Sequence, residues 1–279
     1  MDGIEKDWLN RNVFVHPTAR IYGNVEIADG VEIGPFCVIG EHVELAEGVE
    51  LVSHVSLAGR TTIGARTRIY PFAALGHPPQ DLKYRGEETT LAIGKDCIVR
   101  EGVTANPGTS GGGMRTIIGD RCVLLAQAHV GHDSRIGNDV ILSNNVMIAG
   151  HVRVGDFAIL SGGVAVHQFA RVGAHAFVGG VTGLEGDLVP FGLAFGNRAH
   201  LAGLNLVGLR RRNFSRETIA NLQAAYRLIF EGEAPLVARI DELESSLAAD
   251  PHVAHLVAFL REGGDRPLCR PRRSAGADE

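Results

Sequence analysis

Four histidines, His129, His132, His151 and His167, stand in a stretch of the chain that is otherwise rich in Val, Ile and Leu. Neutral imidazoles at such spacing can ligate zinc. One of them can instead act as a general base, oriented by a carboxylate, while its neighbours bind substrate. Asp133 directly follows His132 and is the candidate orienting partner. Gly150, just before His151, offers an unobstructed backbone N–H that would stabilise an oxyanion. No Ser or Cys in this stretch has an evident triad arrangement, which favours direct transfer over a covalent intermediate on the protein. These residues by themselves leave zinc and general-base chemistry both open.

The elements that must position them follow from a six-residue step. From Ile21 the chain reads IYGNVE, IADGVE, IGPFCV, IGEHVE, LAEGVE, LVSHVS, LAGRTT, IGARTR, IYPFAA, and the phase resumes at Ile118 as IGDRCV, LLAQAH, VGHDSR, IGNDVI, LSNNVM, IAGHVR and onward. An aliphatic residue leads every hexad, a register that neither a 3.6-residue helix nor simple alternation keeps. Short strands joined by turns do keep it, with the lead side chain inside and a Gly or Asn beside it expected to take the positive φ of the corner. Three units close one triangular coil of about 18 residues, and coils stack at roughly the 4.8 Å strand spacing. The pattern predicts a parallel β-helix, left-handed as in known hexapeptide proteins. Residues 18 apart then share a face. The hexads led by Val130, Ile148 and Val166 lie above one another and gather the four imidazoles along one edge, whereas His175 falls on another face.

The β-helix is expected over 13–190. Polar, Pro-rich and Gly-rich segments near 77–90 and 107–116 break the phase, and such insertions commonly carry function. A helical domain is expected over 191–264. Its first long helix opens at Ser215 as N-cap, with Ile219, Leu222, Ala225, Tyr226, Ile229 and Phe230 on one face, and two Pro-initiated amphipathic helices follow. The tail 265–279 reads as disordered. A net charge of −5 gives no global attraction to nucleic acid or anionic membrane. Cys37, Cys97, Cys122 and Cys269 are scattered and read as free thiols of a reducing compartment. The N-terminus lacks the apolar core of a secretory signal, and no run is long enough to span a membrane, so a cytoplasmic protein is expected.

The motifs QDLKYRGE, AHVGHD, NNVMIAGHV, AVHQF, VGG and GLRRRNFSRE together closely resemble the bacterial UDP-N-acetylglucosamine acyltransferases of lipid A biosynthesis, from about Val13 to the C-terminal helices. The resemblance implies a homotrimer of left-handed β-helices with active sites between subunits. It also implies transfer of an (R)-3-hydroxyacyl group from acyl carrier protein, on its phosphopantetheine arm, to the 3-position of UDP-N-acetylglucosamine, with neither metal nor other cofactor. Carried over by motif, His132 is the general base, Asp133 its partner and Gly150 the oxyanion donor. His129, His151, His167 and Gln168 bind sugar and acyl donor. Gln80, Asp81 and Lys83 contact the nucleotide sugar, Asn205, Arg211 and Arg212 lie near its phosphates and the carrier, and Gly180 belongs to the region that gauges acyl length. Two positions depart from the pattern. Val207 replaces a common Glu, and TANPGTSGGG replaces a His-Arg-Gly-Thr segment, so Asn106 leaves a 3-hydroxyl or a 3-amino sugar open as acceptor. The later N-acyltransferase of the pathway carries an N-terminal uridine-binding domain, while here the hexads begin within the first coil's length. A zinc carbonic anhydrase on the same β-helix is the alternative from another class.

Overall fold

A computed structural model describes residues 12–247 and 249–272; the N-terminal segment read above for a signal, and 273–279 of the tail, lie outside them. Two-residue strands recur every hexad and pair in parallel with the strand one coil on, as in His129↔Met147 and Arg135↔Arg153. They form three sheets, of eleven, nine and eight strands, which are the three faces of a left-handed prism. The lead aliphatics fill its interior: Ile33, Ile39, Ile63, Ile69, Leu75, Leu124, Leu142 and Leu160 are fully buried. Removing such a side chain to Ala leaves a void that costs about 2–5 kcal/mol.

The corners differ from the sequence expectation. Within the coils, Gly76 at the start of the first excursion excepted, the glycine beside a lead residue does not carry the positive φ. It is there for close stacking, since a Cβ on Gly34 would lie 1.8 Å from the Val52 carbonyl oxygen of the next coil. Positive φ falls two residues later, at Phe36, Asp133, His151, Phe169 and His175 among others, in the range of about 52–65°. These side chains accept the strain because each stacks on its counterpart one coil away, as in Phe36–His54–Phe72 and Phe157–His175–Phe191. Salt bridges fill the same role at Arg66–Asp96 and Arg121–Asp139.

Both interruptions leave from one corner, where the nine-stranded sheet passes to the eight-stranded one. The first runs from strand Ala74–Leu75 to strand Thr90–Ile93, and the second from Thr104–Ala105 to Arg115–Ile118. They are therefore displaced over the corner that holds His132 and His151 on the following coils.

An antiparallel pair, Gly192–Phe195 with His200–Leu204, ends the prism. Helices α1 (Leu206–Arg211), α2 (Arg216–Glu231), α3 (Leu236–Leu247) and α4 (Pro251–Glu262) follow, with Asn205, Ser215 and Asp250 as N-caps of α1, α2 and α4. Leu222, Ala225 and Ile229 of α2 are buried. On α4, the Phe259 ring lies 4.0 Å from the Arg171 guanidinium, which pairs at 2.7 Å with Asp187.

The tail departs from the expected disorder. Residues 265–272 run back along the prism end: Asp187 N–H donates to Pro267 O, Cys269 N–H to Asp187 O and Leu201 N–H to Arg270 O, at 2.8–3.0 Å. Backbone pairing, which has no apolar periodicity to reveal it, orders this strap. All four cysteines are free and buried. No helix among the described residues is long and apolar enough to cross a membrane.

Candidate active site

The corner between the nine- and eight-stranded sheets carries Asp133, His151 and Phe169 one above another, each at positive φ. His132 Nδ1 lies 2.9 Å from Asp133 Oδ2. A carboxylate only accepts, so Nδ1 carries the proton and Nε2 keeps its lone pair. The Asp133 side chain is fully buried and that of His132 only 11% exposed. The His151 ring stands edge-on to His132, with centroids 4.9 Å apart, and stacks flat on Phe169 at 4.4 Å.

Asp133 is held from the second excursion. The Thr109 amide donates to Oδ1 and Oδ2 at 2.9 and 3.1 Å, and its hydroxyl donates to Oδ2 at 2.6 Å. The Asp133 N–H donates to Thr116 Oγ1 at 2.8 Å. Gly112 lies against Asp133 and His151, where a Cβ would fall 2.1 Å from the Asp133 carboxyl carbon and 2.4 Å from His151 Cε1.

At Gly150, a Cβ would lie 2.6 Å from both Cε1 and Nε2 of His132, so only glycine leaves the basic nitrogen uncovered. The Gly150 N–H has no acceptor among the hydrogen bonds of the described residues, whereas its carbonyl accepts from Phe169. A base and a free amide donor thus share one spot.

His129, on the nine-stranded face, shares a 2.7 Å hydrogen bond with Thr104 Oγ1. Burial, and secondarily His132 beside it, holds its pKa below the usual imidazole value. His151 is also pushed down, chiefly by burial, with Asp133 and Asp81 opposing. Both therefore stay neutral and suit hydrogen bonding to a polar substrate. His167 and Gln168 open the next coil's turn. His167 Nδ1 and Arg266 Nε both donate to the Gln168 carbonyl, so the strap anchors this turn.

Gln80, Asp81 and Lys83 belong to the first excursion, which leaves from the same corner of the prism. The Lys83 N–H donates to Asp81 Oδ1. The excursions are tied together: Asn106 Nδ2 donates to the carbonyls of His77 and Pro78, and Ser110 Oγ to Glu87. The Asn106 amide is thereby occupied and buried.

The remaining predicted residues lie on other corners of the protomer. Asn205 caps α1 and donates to the His175 carbonyl, and Arg212 donates to the Phe157 carbonyl, both where the eight-stranded sheet passes to the eleven-stranded one. Arg211 is exposed on α1 beside them. Val207, the departure from the usual Glu, is exposed one turn earlier. Gly180 occupies the third corner, between the eleven- and nine-stranded sheets.

His132, Asp133 and His151 present ligand atoms within 4.8 Å of one another, spacing that a metal ion can use. Asp133 Oδ2, however, already takes bonds from His132 and Thr109. A metal taking Oδ2 would compete with both.

Sequence reasoning missed Thr109, Thr116, Thr104 and Phe169. Phe169 was within reach, because it stands 18 residues after His151 in the same corner register. Thr109 keeps the last residue of the His-Arg-Gly-Thr pattern that begins at Asn106 here, but no period of the excursion points it at Asp133.

Comparison with known proteins bears on this site. A family profile described as UDP-N-acetylglucosamine O-acyltransferase, domain 2, matches residues 187–269, and the bacterial transferase hexapeptide profile matches 8–41 and 115–150. The chain is 59% identical over 205 residues to acyl-[acyl-carrier-protein]–UDP-N-acetylglucosamine O-acyltransferase of Methylobacterium radiotolerans, covering 74% of this chain and 75% of that one. The Caulobacter vibrioides protein of the same name is 50% identical over 74% of this chain and 78% of its own. Among solved structures, the UDP-N-acetylglucosamine acyltransferase of Francisella novicida superposes with a TM-score of 0.91 at 32% identity, covering 95% and 97% of the two chains. That of Bacteroides fragilis gives 0.88 at 36%, covering 92% and 100%. With this identity across three quarters of the sequence and the same fold throughout, the chain belongs to the UDP-N-acetylglucosamine O-acyltransferase family.

Proposed function

We propose that the protein transfers an (R)-3-hydroxyacyl group from acyl carrier protein to the 3-hydroxyl of UDP-N-acetylglucosamine, the first step of lipid A biosynthesis, with His132 as general base. The observation that carries this is the buried His132–Asp133 pair, whose Nε2 opens onto the free Gly150 N–H. His132 Nε2 takes the proton of the sugar hydroxyl as its oxygen attacks the thioester carbonyl. The negative charge that moves onto the carbonyl oxygen is met by the Gly150 N–H. Collapse breaks the carbon–sulfur bond, and the departing thiol of the carrier's arm recovers the proton from the imidazolium. Asp133 keeps the productive tautomer throughout and balances the imidazolium charge. No metal or other cofactor enters, and no acyl group rests on the protein.

His129, His151, His167 and Gln168, with the loop residues Gln80, Asp81 and Lys83, bind sugar and donor. Asn205, Arg211 and Arg212 sit on a different corner, where guanidinium groups suit phosphate recognition. A homotrimer of prisms unites the two corners, with the second copy's arginines facing the first copy's histidines, in an enzyme working in the cytoplasm. The test is turnover with UDP-N-acetylglucosamine, its 3-amino analogue and a panel of hydroxyacyl carrier proteins. Ester formation on the 3-hydroxyl sugar is expected. Acylation of the amino sugar alone would move the acceptor atom to nitrogen, and turnover that needs stoichiometric zinc would replace the base by a metal.

A further inference from the structure

We propose that Thr109 is a positioning residue of the reaction, acting through Asp133 on the tautomer and aim of His132; the proposal rests on the base assignment above. A carboxylate turns freely about its Cβ–Cγ bond unless something fixes its plane. Here the Thr109 amide reaches both oxygens, at 2.9 and 3.1 Å, and sets that plane. The Thr109 hydroxyl then pins Oδ2, the same oxygen that faces His132 Nδ1. Oδ2 thereby accepts from both the Thr109 hydroxyl and His132 Nδ1, which fixes its direction towards the ring. Both groups are shielded from water: Thr109 is 4% and Asp133 6% exposed.

Thr109 is placed by construction. The second excursion is closed by the bonds of the Gly112 and Met114 amides to the Thr109 carbonyl. Gly112 then touches the carboxylate with no room for a side chain. Ser110, next in the chain, is clasped to Glu87 of the first excursion. The loop so formed has a single outlet for the Thr109 hydroxyl, the Asp133 carboxylate. Thr116, at the loop's far end, fixes the Asp133 backbone from the other side. The alternative, that Thr109 merely closes a turn, uses its carbonyl and amide but gives no task to the hydroxyl.

The test isolates that hydroxyl. Thr109→Val keeps the shape and the amide bonds and removes only the O–H, while Thr109→Ser restores it. Losing a hydrogen bond to a charged group in a buried pair corresponds to about 10- to 100-fold in rate. Thr109→Val is therefore expected to lower kcat by that factor, with KM for both substrates within about twofold. Thr109→Ser is expected to recover kcat to within about threefold. On an Asp133→Asn background, Thr109→Val should add less than about twofold, because residues acting as one unit are not additive. A Thr109→Val enzyme that keeps half of its kcat, or a loss that persists in full beside Asp133→Asn, would overturn the proposal. An Asp133→Asn enzyme with unchanged kcat would remove Asp133 from the positioning of His132, and the proposal with it, whereas the base assignment itself stands or falls with His132→Ala.

Discussion

The space around His132 Nε2 is so narrow that position 150 admits only glycine, although its φ is not one that requires it. Gly150→Ala tests this crowding: the methyl group would press on the imidazole edge 2.6 Å away and turn it from the substrate. Misplacement of a reacting group by about 1 Å costs on the order of 10² in rate. A drop in kcat of that size is expected, with circular dichroism and oligomer size unchanged; a kcat within about threefold of wild type would show that the ring has room to spare. At this scale much was legible in the sequence. The adjacency of His132 and Asp133 and the hexad register placed His132, His151 and His167 at one corner, with His129 on the adjoining face. Thr109 was hidden because it contacts Asp133 across 24 residues through a loop without period.

Among the elements, the corner stacks explain both the order of the coils and how the helical domain docks. His175 lies between Phe157 and Phe191, and the Phe214 and His252 rings of the helical domain close over Phe191. Burial, with Arg212, His252 and His255 acting in the same direction and Asp156 opposing, brings the His175 pKa down to about 4. An unfolded chain has a histidine pKa of about 6.5. Between those values the unfolded state binds more protons. The stabilisation is therefore complete above about 6.5 and is lost as pH falls towards about 4, by at most on the order of 3 kcal/mol. His175→Phe continues the stack at a φ that Phe36 and Phe72 already adopt. Urea unfolding at pH 7 and pH 4.5 should show a smaller loss for this variant than for wild type. Equal losses would place the acid sensitivity elsewhere. The hexads and caps that build these elements were legible because the lead aliphatics from Ile27 onward are buried and Ser215 accepts from the Thr218 amide. The strap of 265–272 was not, because its order comes from main-chain bonds that any sequence can make.

For the whole molecule, the residues proposed for the reaction occupy three corners of one prism, and the proposed homotrimer would bring them together. Gly180 is the informative one. Its φ is ordinary, and a Cβ there meets only the Gly162 carbonyl at 3.4 Å. The strained residue of that corner is its neighbour Val181, at φ 54° and 80% exposed. A side chain at 180 is thus tolerated by the fold and would stand exposed at that corner. If the acyl chain runs there, Gly180→Met removes room for methylenes, each worth about 0.8 kcal/mol when buried. Relative rates with short and long hydroxyacyl carrier proteins should then shift towards the shorter donor. An unchanged ratio, or a uniform loss across donors, would remove Gly180 from the path of the chain.

The central claim is that His132 is the base for acyl transfer to the sugar, and its most direct measurement is kcat of His132→Ala with UDP-N-acetylglucosamine and a saturating hydroxyacyl carrier protein. Loss of a positioned base costs about 10²–10⁴ in rate. A fall of that size, in a variant that keeps its fold and oligomer size, is the predicted result. Retention of more than about a tenth of wild-type turnover would contradict it.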